Sequence, residues 1–198
     1  MTANDFLKKF KEKMNKKSVG DKAVSTWNNR GNFTSFIIDQ IADIVNEEHK
    51  TSKEYYNIDL IGWSQLKQNL PAPPISKYRL KKHLWSLDVA IEHENDQSDW
   101  TDELIKLLYI NCPLRVVIGY ISADVFSDDS KMEAILKYAS DSIRLAEGET
   151  NLIIGKQEYL LIFGKNSGQI SDFSANIYSA YKYNVVTKRF EEFEESSI

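Results

Sequence analysis

Apolar residues recur at helical spacing in several stretches of the chain. Between 33 and 50 (FTSFIIDQIADIVNEEHK), Ile37, Ile41, Ile44 and Val45 form one stripe, which predicts an amphipathic helix. Glu48 continues that stripe, whereas Glu47 points roughly 100° away. A carboxylate on the core-facing side of a helix end belongs either to the rim of the core or to something it is aimed at. Near the N-terminus, Phe6, Leu7, Phe10 and Met14 share a face opposite a run of lysines.

Downstream the period changes to two. YYNIDLIG (55–62) is rich in aromatic and β-branched residues and reads as a strand. Residues 84–94 alternate, with Trp85, Leu87, Val89, Ile91 and His93 on one face and Ser86, Asp88, Ala90, Glu92 and Glu94 on the other. Between these strands, 67–83 is punctuated by prolines and reads as an excursion ending in a basic, aromatic-containing cluster. Residues 100–110 read as a helix with Asp99 or Thr101 near its N-cap, and 114–121 (LRVVIGYI) as a strand covered on both faces. Strand, helix and strand make one βαβ unit whose two strands are expected to be parallel. A second amphipathic helix over 131–146, two short strands within 151–164 around a turn at Gly155 to Gln157, and a last strand over 176–190 complete the reading. The fold class is α/β (α+β): one domain with a central mixed sheet flanked by helices. Within it, 1–22 is a basic N-terminal helix or arm, 33–121 the core, and 122–198 a helix followed by C-terminal strands.

Composition supports a single packed domain. At 198 residues and 42% hydrophobic, with 8 Gly and 4 Pro, the chain can bury a core without disulfides or a metal staple. The single cysteine, Cys112, excludes an internal disulfide framework and suits a reducing compartment. No apolar run approaches the roughly 20 residues of a membrane span, and MTANDFLKKFKEKM has no apolar signal core, so a cytoplasmic protein without membrane contact is expected.

The net charge of −4 argues against coating nucleic acid through the overall field. The distribution is uneven, because residues 1–22 carry seven lysines against Asp5, Glu12 and Asp21, leaving an acidic remainder. The sequence holds no P-loop, GxGxxG, GxSxG or HExxH, and His49, His83 and His93 lack ligand spacing. Cys112, between a helix and a buried strand, reads as a small apolar residue. What remains is a set of carboxylates. Glu92 and Glu94 share a strand face, where two like charges repel unless they are solvated or bridged by a cation; Asp59 and Glu48 could add ligands to a hard ion such as Mg²⁺.

An acidic helix end (Glu47-Glu48), a strand with Asp59, a strand ending Glu92-His93-Glu94, a helix and an apolar strand together resemble the PD-(D/E)XK, restriction-endonuclease-like nuclease superfamily over residues 33–121. The resemblance implies that Asp59 and Glu92 hold a metal, with Glu48 matching a helical glutamate. Glu94 stands where that pattern has lysine, and Asp59 is not preceded by proline. Glu94 would then act as general base, or Lys106 on the next helix would reach back in place of the lysine. His93 faces away from the carboxylates and stays outside the site.

The function implied is a Mg²⁺-dependent (or Mn²⁺-dependent) DNA nuclease, with a homodimer compatible. Its DNA contacts would come from Lys77, Arg79, Lys81 and Lys82 together with the N-terminal lysines, and Trp63 or Trp100 could stack on a base. Two bound Mg²⁺ would bring the formal charge to about zero. The alternative is a catalytically silent module of the same fold that binds DNA or a protein partner. A third reading, an adaptor whose acidic surface mimics DNA, rests on net charge alone.

Overall fold

A computed structural model describes residues 1–69, 83–150, 157–166, 168, 170 and 172–194. Three helices lead the chain: α1 (Ala3–Met14), α2 (Lys17–Thr26) and α3 (Arg30–Asn46). Helix α1 starts at Thr2, whose hydroxyl accepts from the Asp5 N–H while the Asp5 carboxylate accepts from the Thr2 N–H, a reciprocal cap. Its Phe6, Leu7, Phe10 and Met14 are fully buried, each worth on the order of 1.5–3 kcal/mol. The basic N-terminal segment is therefore part of the core rather than a free arm, and it comprises two helices separated at Asn15 and Lys16.

Seven strands form one mixed sheet in sequential order: β1 (Lys50–Tyr55), β2 (Ile58–Asn69), β3 (His83–Glu94), β4 (Leu114–Ser122), β5 (Glu158–Asn166), β6 (Tyr178–Asn184) and β7 (Arg189–Glu192). The β1–β2 and β2–β3 pairs are antiparallel, β3, β4 and β5 are mutually parallel, and β6 and β7 return antiparallel. The parallel steps are crossed by α4 (Trp100–Leu108) and by α5 (Ala123–Phe126) with α6 (Asp129–Thr150). The expected βαβ unit is present, and all of 114–121 is buried.

Helices α1–α3 cover one sheet face through Phe33, Ile37, Ile41, Leu60, Val89, Ile91 and Ile118. Helices α4 and α6 cover the other through Leu104, Leu107, Ile61, Ala90, Val117 and Leu161. The result is a single α+β domain of three layers.

Three sequence expectations change. Residues 55–62 are not one strand, because Tyr56 and Asn57 turn the chain between β1 and β2, with positive φ at Glu54, Tyr56 and Asn57. The expected last strand is a hairpin, β6 turning through 185–188 into β7. In β3, Gly62 pairs with Val89 but Trp63 with Leu87, so Asp88 is an extra, bulged residue. The bulge reverses the alternation: Val89 and Ile91 face α1–α3, whereas Leu87 packs with the α4 side. Of the expected strand pair in 151–164, the structure describes one strand, β5, and 151–156 lie outside the described residues.

Candidate functional site

The turn at Tyr56–Asn57 sets Asp59 at the start of β2, directly beside the end of β3. The Asp59 N–H donates to Glu92 Oε2 at 3.3 Å, and the His93 N–H donates to Asp59 Oδ2 at 2.8 Å. Two-residue spacing from Ile61 and Ala90 puts Asp59, Glu92 and Glu94 on the α4 face. Helix α4 buries Trp100, Leu104, Leu107 and Leu108, which leaves Glu103 and Lys106, one turn apart, at the border of that buried stripe. Lys106 Nζ lies 2.8 Å from Glu92 Oε1, is ion-paired with Glu103, and donates to the Asn57 carbonyl at 2.8 Å. One ammonium thus ties α4 to β3 and to the β1–β2 turn.

The electrostatics follow from burial. Glu92 is 1% exposed, and desolvation pushes its carboxyl above the usual carboxylate range against the hydrogen bond from Lys106, with Glu103 and Asp59 adding repulsion. Desolvation likewise raises Asp59, opposed chiefly by the His93 N–H. For Lys106, desolvation works against the charge, but Glu103 and Glu92 hold it above the usual lysine value. Glu94 is also raised by desolvation, although the Asp96 N–H donates to its Oε1 at 2.6 Å.

Glu48 does not join this group. Strand β1 runs from Lys50, opposite Trp63, to Tyr55, opposite Ile58, so Glu48 lies beyond the far end of β1 from Asp59. The four residues from Asp59 to Trp63 alone span about 13 Å of strand. The Glu48 carboxylate is held instead by Lys9 at 2.7 Å and the Met1 amine at 3.4 Å, so the helical-glutamate role expected for it is overturned by its place on the α1 side. Lys9 also pairs with Glu47 and Lys13 with Asp43, so these two N-terminal lysines bind α3 and the residues just after it.

His93 faces α1–α3, buried against Phe33 and Tyr120 and away from the carboxylates. His49 Nδ1 is 3.0 Å from Asp88 Oδ2, so the bulged Asp88 serves that histidine rather than the face of Glu92. Cys112 is buried, with its thiol donating to the Leu114 carbonyl. Trp100 is buried edge-on against Phe163. Lys77, Arg79, Lys81 and Lys82 lie outside the described residues.

Sequence reasoning missed Glu103. The available signal was its i,i+3 spacing from Lys106 on a helix whose other face is apolar.

Two adjacent carboxylates from β2 and β3 are the donor type a hard divalent ion takes together with water and substrate phosphate. Asp59 and Glu92 fit that demand in kind, while among the described residues no three acidic, histidine or cysteine side chains close on a common point. No family model matches the chain, and no curated protein matches it.

Proposed function

We propose that the chain is a Mg²⁺-dependent DNA nuclease of restriction-endonuclease-like type, with Asp59 and Glu92 as the metal-holding pair. The observation that carries this reading is the reach of Lys106 from α4 to Glu92 Oε1 at 2.8 Å, with Asp59 beside the same carboxylate. Two acids and a lysine from three elements supply the residue set that the superfamily resemblance asks for, with Lys106 taking the part that Glu94 cannot. A bound divalent ion would supply polarisation of the phosphate and a more acidic water. The chain's own residues do the rest: Glu103 holds Lys106 in place, and Lys106 orients the Glu92 carboxylate from α4. Glu94 closes the turn to Asp96 and takes no step.

Among the described residues no helix is long and apolar enough to cross a membrane. A reducing cytoplasm fits the buried free Cys112, and DNA is the proposed partner.

One observation favours a second reading, a silent module of this fold that binds DNA or protein. Lys106 already supplies Glu92 with a counter-ion, as a purely structural pair would. A cleavage assay with Mg²⁺ or Mn²⁺ on wild type and Glu92→Ala separates the two. The nuclease reading expects metal-dependent cleavage that Glu92→Ala abolishes. Binding to a duplex with no cleavage by wild type supports the silent module, and cleavage retained by Glu92→Ala sinks the assignment of Glu92.

A further inference from the structure

On the sheet face that carries Asp59 and Glu92, nearer the far end of β1, lies an open cleft of about 180 Å³ lined by Ser52, Tyr55, Ile61, Trp63 and Trp85. Local irregularities assemble it. The positive φ of Glu54 interrupts the alternation of β1 just before Tyr55. The Asp88 bulge brings Trp85, opposite Gln65, within 6.2 Å of Trp63, where unbroken alternation would have placed it with Val89 on the other face. Tyr55 meets Trp85 edge-on at 5.8 Å and 87°, and Trp63 meets it at 69°. The three rings therefore form walls rather than a closed stack, and Trp85 stays 39% exposed. Lys50 Nζ sits 5.2 Å over the Trp63 ring, placing a cation at the rim.

Aromatic walls beside a lysine match one ligand chemistry well: a flat π-system attached to an anionic backbone. We propose that this cleft holds an unstacked base of a single-stranded DNA segment, with Lys50 on its phosphate. The identity of the polymer rests on the nuclease reading, because the cleft shares β2 with Asp59. From Asp59 to Trp63 is about 13 Å of strand, a span within the reach of a few nucleotides of an extended single strand. A strand whose phosphate lies at Asp59 and Glu92 can therefore seat a nearby base in the cleft, against the exposed Trp85 ring. The exposed ring tolerates a base of any identity, since every base offers a π-face.

The test is fluorescence anisotropy of a labelled oligothymidylate of about 12 nucleotides, with EDTA present so that no cleavage occurs. Wild type is compared with Trp85→Ala, Trp85→Phe and Lys50→Ala, and the oligomer with an abasic one of equal length. Trp85→Ala is expected to weaken binding about tenfold or more, with Trp85→Phe restoring most of it because a ring is kept. The abasic oligomer is expected to bind wild type as weakly as the base-bearing one binds Trp85→Ala. Equal affinity for the two oligomers, or unchanged affinity in Trp85→Ala, overturns base capture. The nuclease reading is scored separately by cleavage with Mg²⁺. A chain that binds bases but never cleaves keeps the cleft and loses the nuclease, whereas a chain that cleaves without base-dependent binding does the reverse.

Discussion

Lys106 Nζ lies 2.8 Å from Glu92 Oε1, so the buried carboxylate at the end of β3 takes its counter-ion from a helical lysine fourteen residues farther along the chain. Removing the ammonium leaves Glu92 buried with repulsion from Glu103 and Asp59. Lys106→Met is expected to cost about 1–3 kcal/mol of stability, below the 3–5 kcal/mol of a fully enclosed pair because Lys106 is 32% exposed. Urea unfolding checks this, and Glu92→Gln combined with Lys106→Met should recover part of the loss. A double variant less stable than the sum of the two singles would contradict the pairing.

Glu48 tests the separation of the two sheet faces. Its partners are Lys9 and the Met1 amine at a partly exposed site. Glu48→Gln should change stability by less than about 1 kcal/mol and leave metal-dependent cleavage at the wild-type rate. Loss of cleavage in a variant with wild-type melting would place Glu48 in the site.

Side chains from α3 and β3 approach β2 closely at Gly62. A Cβ there would lie 2.5 Å from Val45 Cγ1 and 2.6 Å from Val89 Cγ1. Gly62→Ala should destabilise by about 1–3 kcal/mol in thermal or urea unfolding, because α3 and β3 must both give way. An unchanged midpoint would show that α3 does not press on β2 there.

Cys112 supplies a pH dependence. Burial pushes its thiol up to about 11 from an ordinary value of 9.0. A raised acid pKa makes a contribution to stability that is complete below pH 9 and is lost as pH rises toward 11. Relative to Cys112→Ala, wild type should therefore lose about 1.4 kcal/mol between pH 7 and pH 10 in urea unfolding. A constant difference across that range would contradict a buried, protonated thiol.

Sequence periodicity located the elements that carry the site. The stripe through Ile37, Ile41 and Ile44, the apolar run 114–121 and the shared face of Glu92 and Ala90 all reappear in the structure. What periodicity missed was local irregularity. An extra residue such as Asp88 leaves composition unchanged yet moves Trp85 and Leu87 to the opposite face, and no turn residue beyond Asn57 marked the break between β1 and β2. Long-range pairing was equally hidden. Glu48 fits the helical stripe, but only the packing of α1 against α3 brings Lys9 to it. Lys106 was legible as a candidate because it follows the acidic strand on a helix, whereas its partner Glu103 gave only a spacing signal.

The central assignment is that Asp59, Glu92 and Lys106 act together while Glu94 only holds a turn. The most direct measurement is the single-turnover cleavage rate of DNA with Mg²⁺ for wild type, Glu92→Gln and Glu94→Gln, each confirmed folded by its melting transition. The assignment predicts cleavage by wild type, a loss of about 100-fold or more in Glu92→Gln, and a rate within a few-fold of wild type in Glu94→Gln. Wild-type rates in Glu92→Gln, or no metal-dependent cleavage by wild type itself, would contradict it.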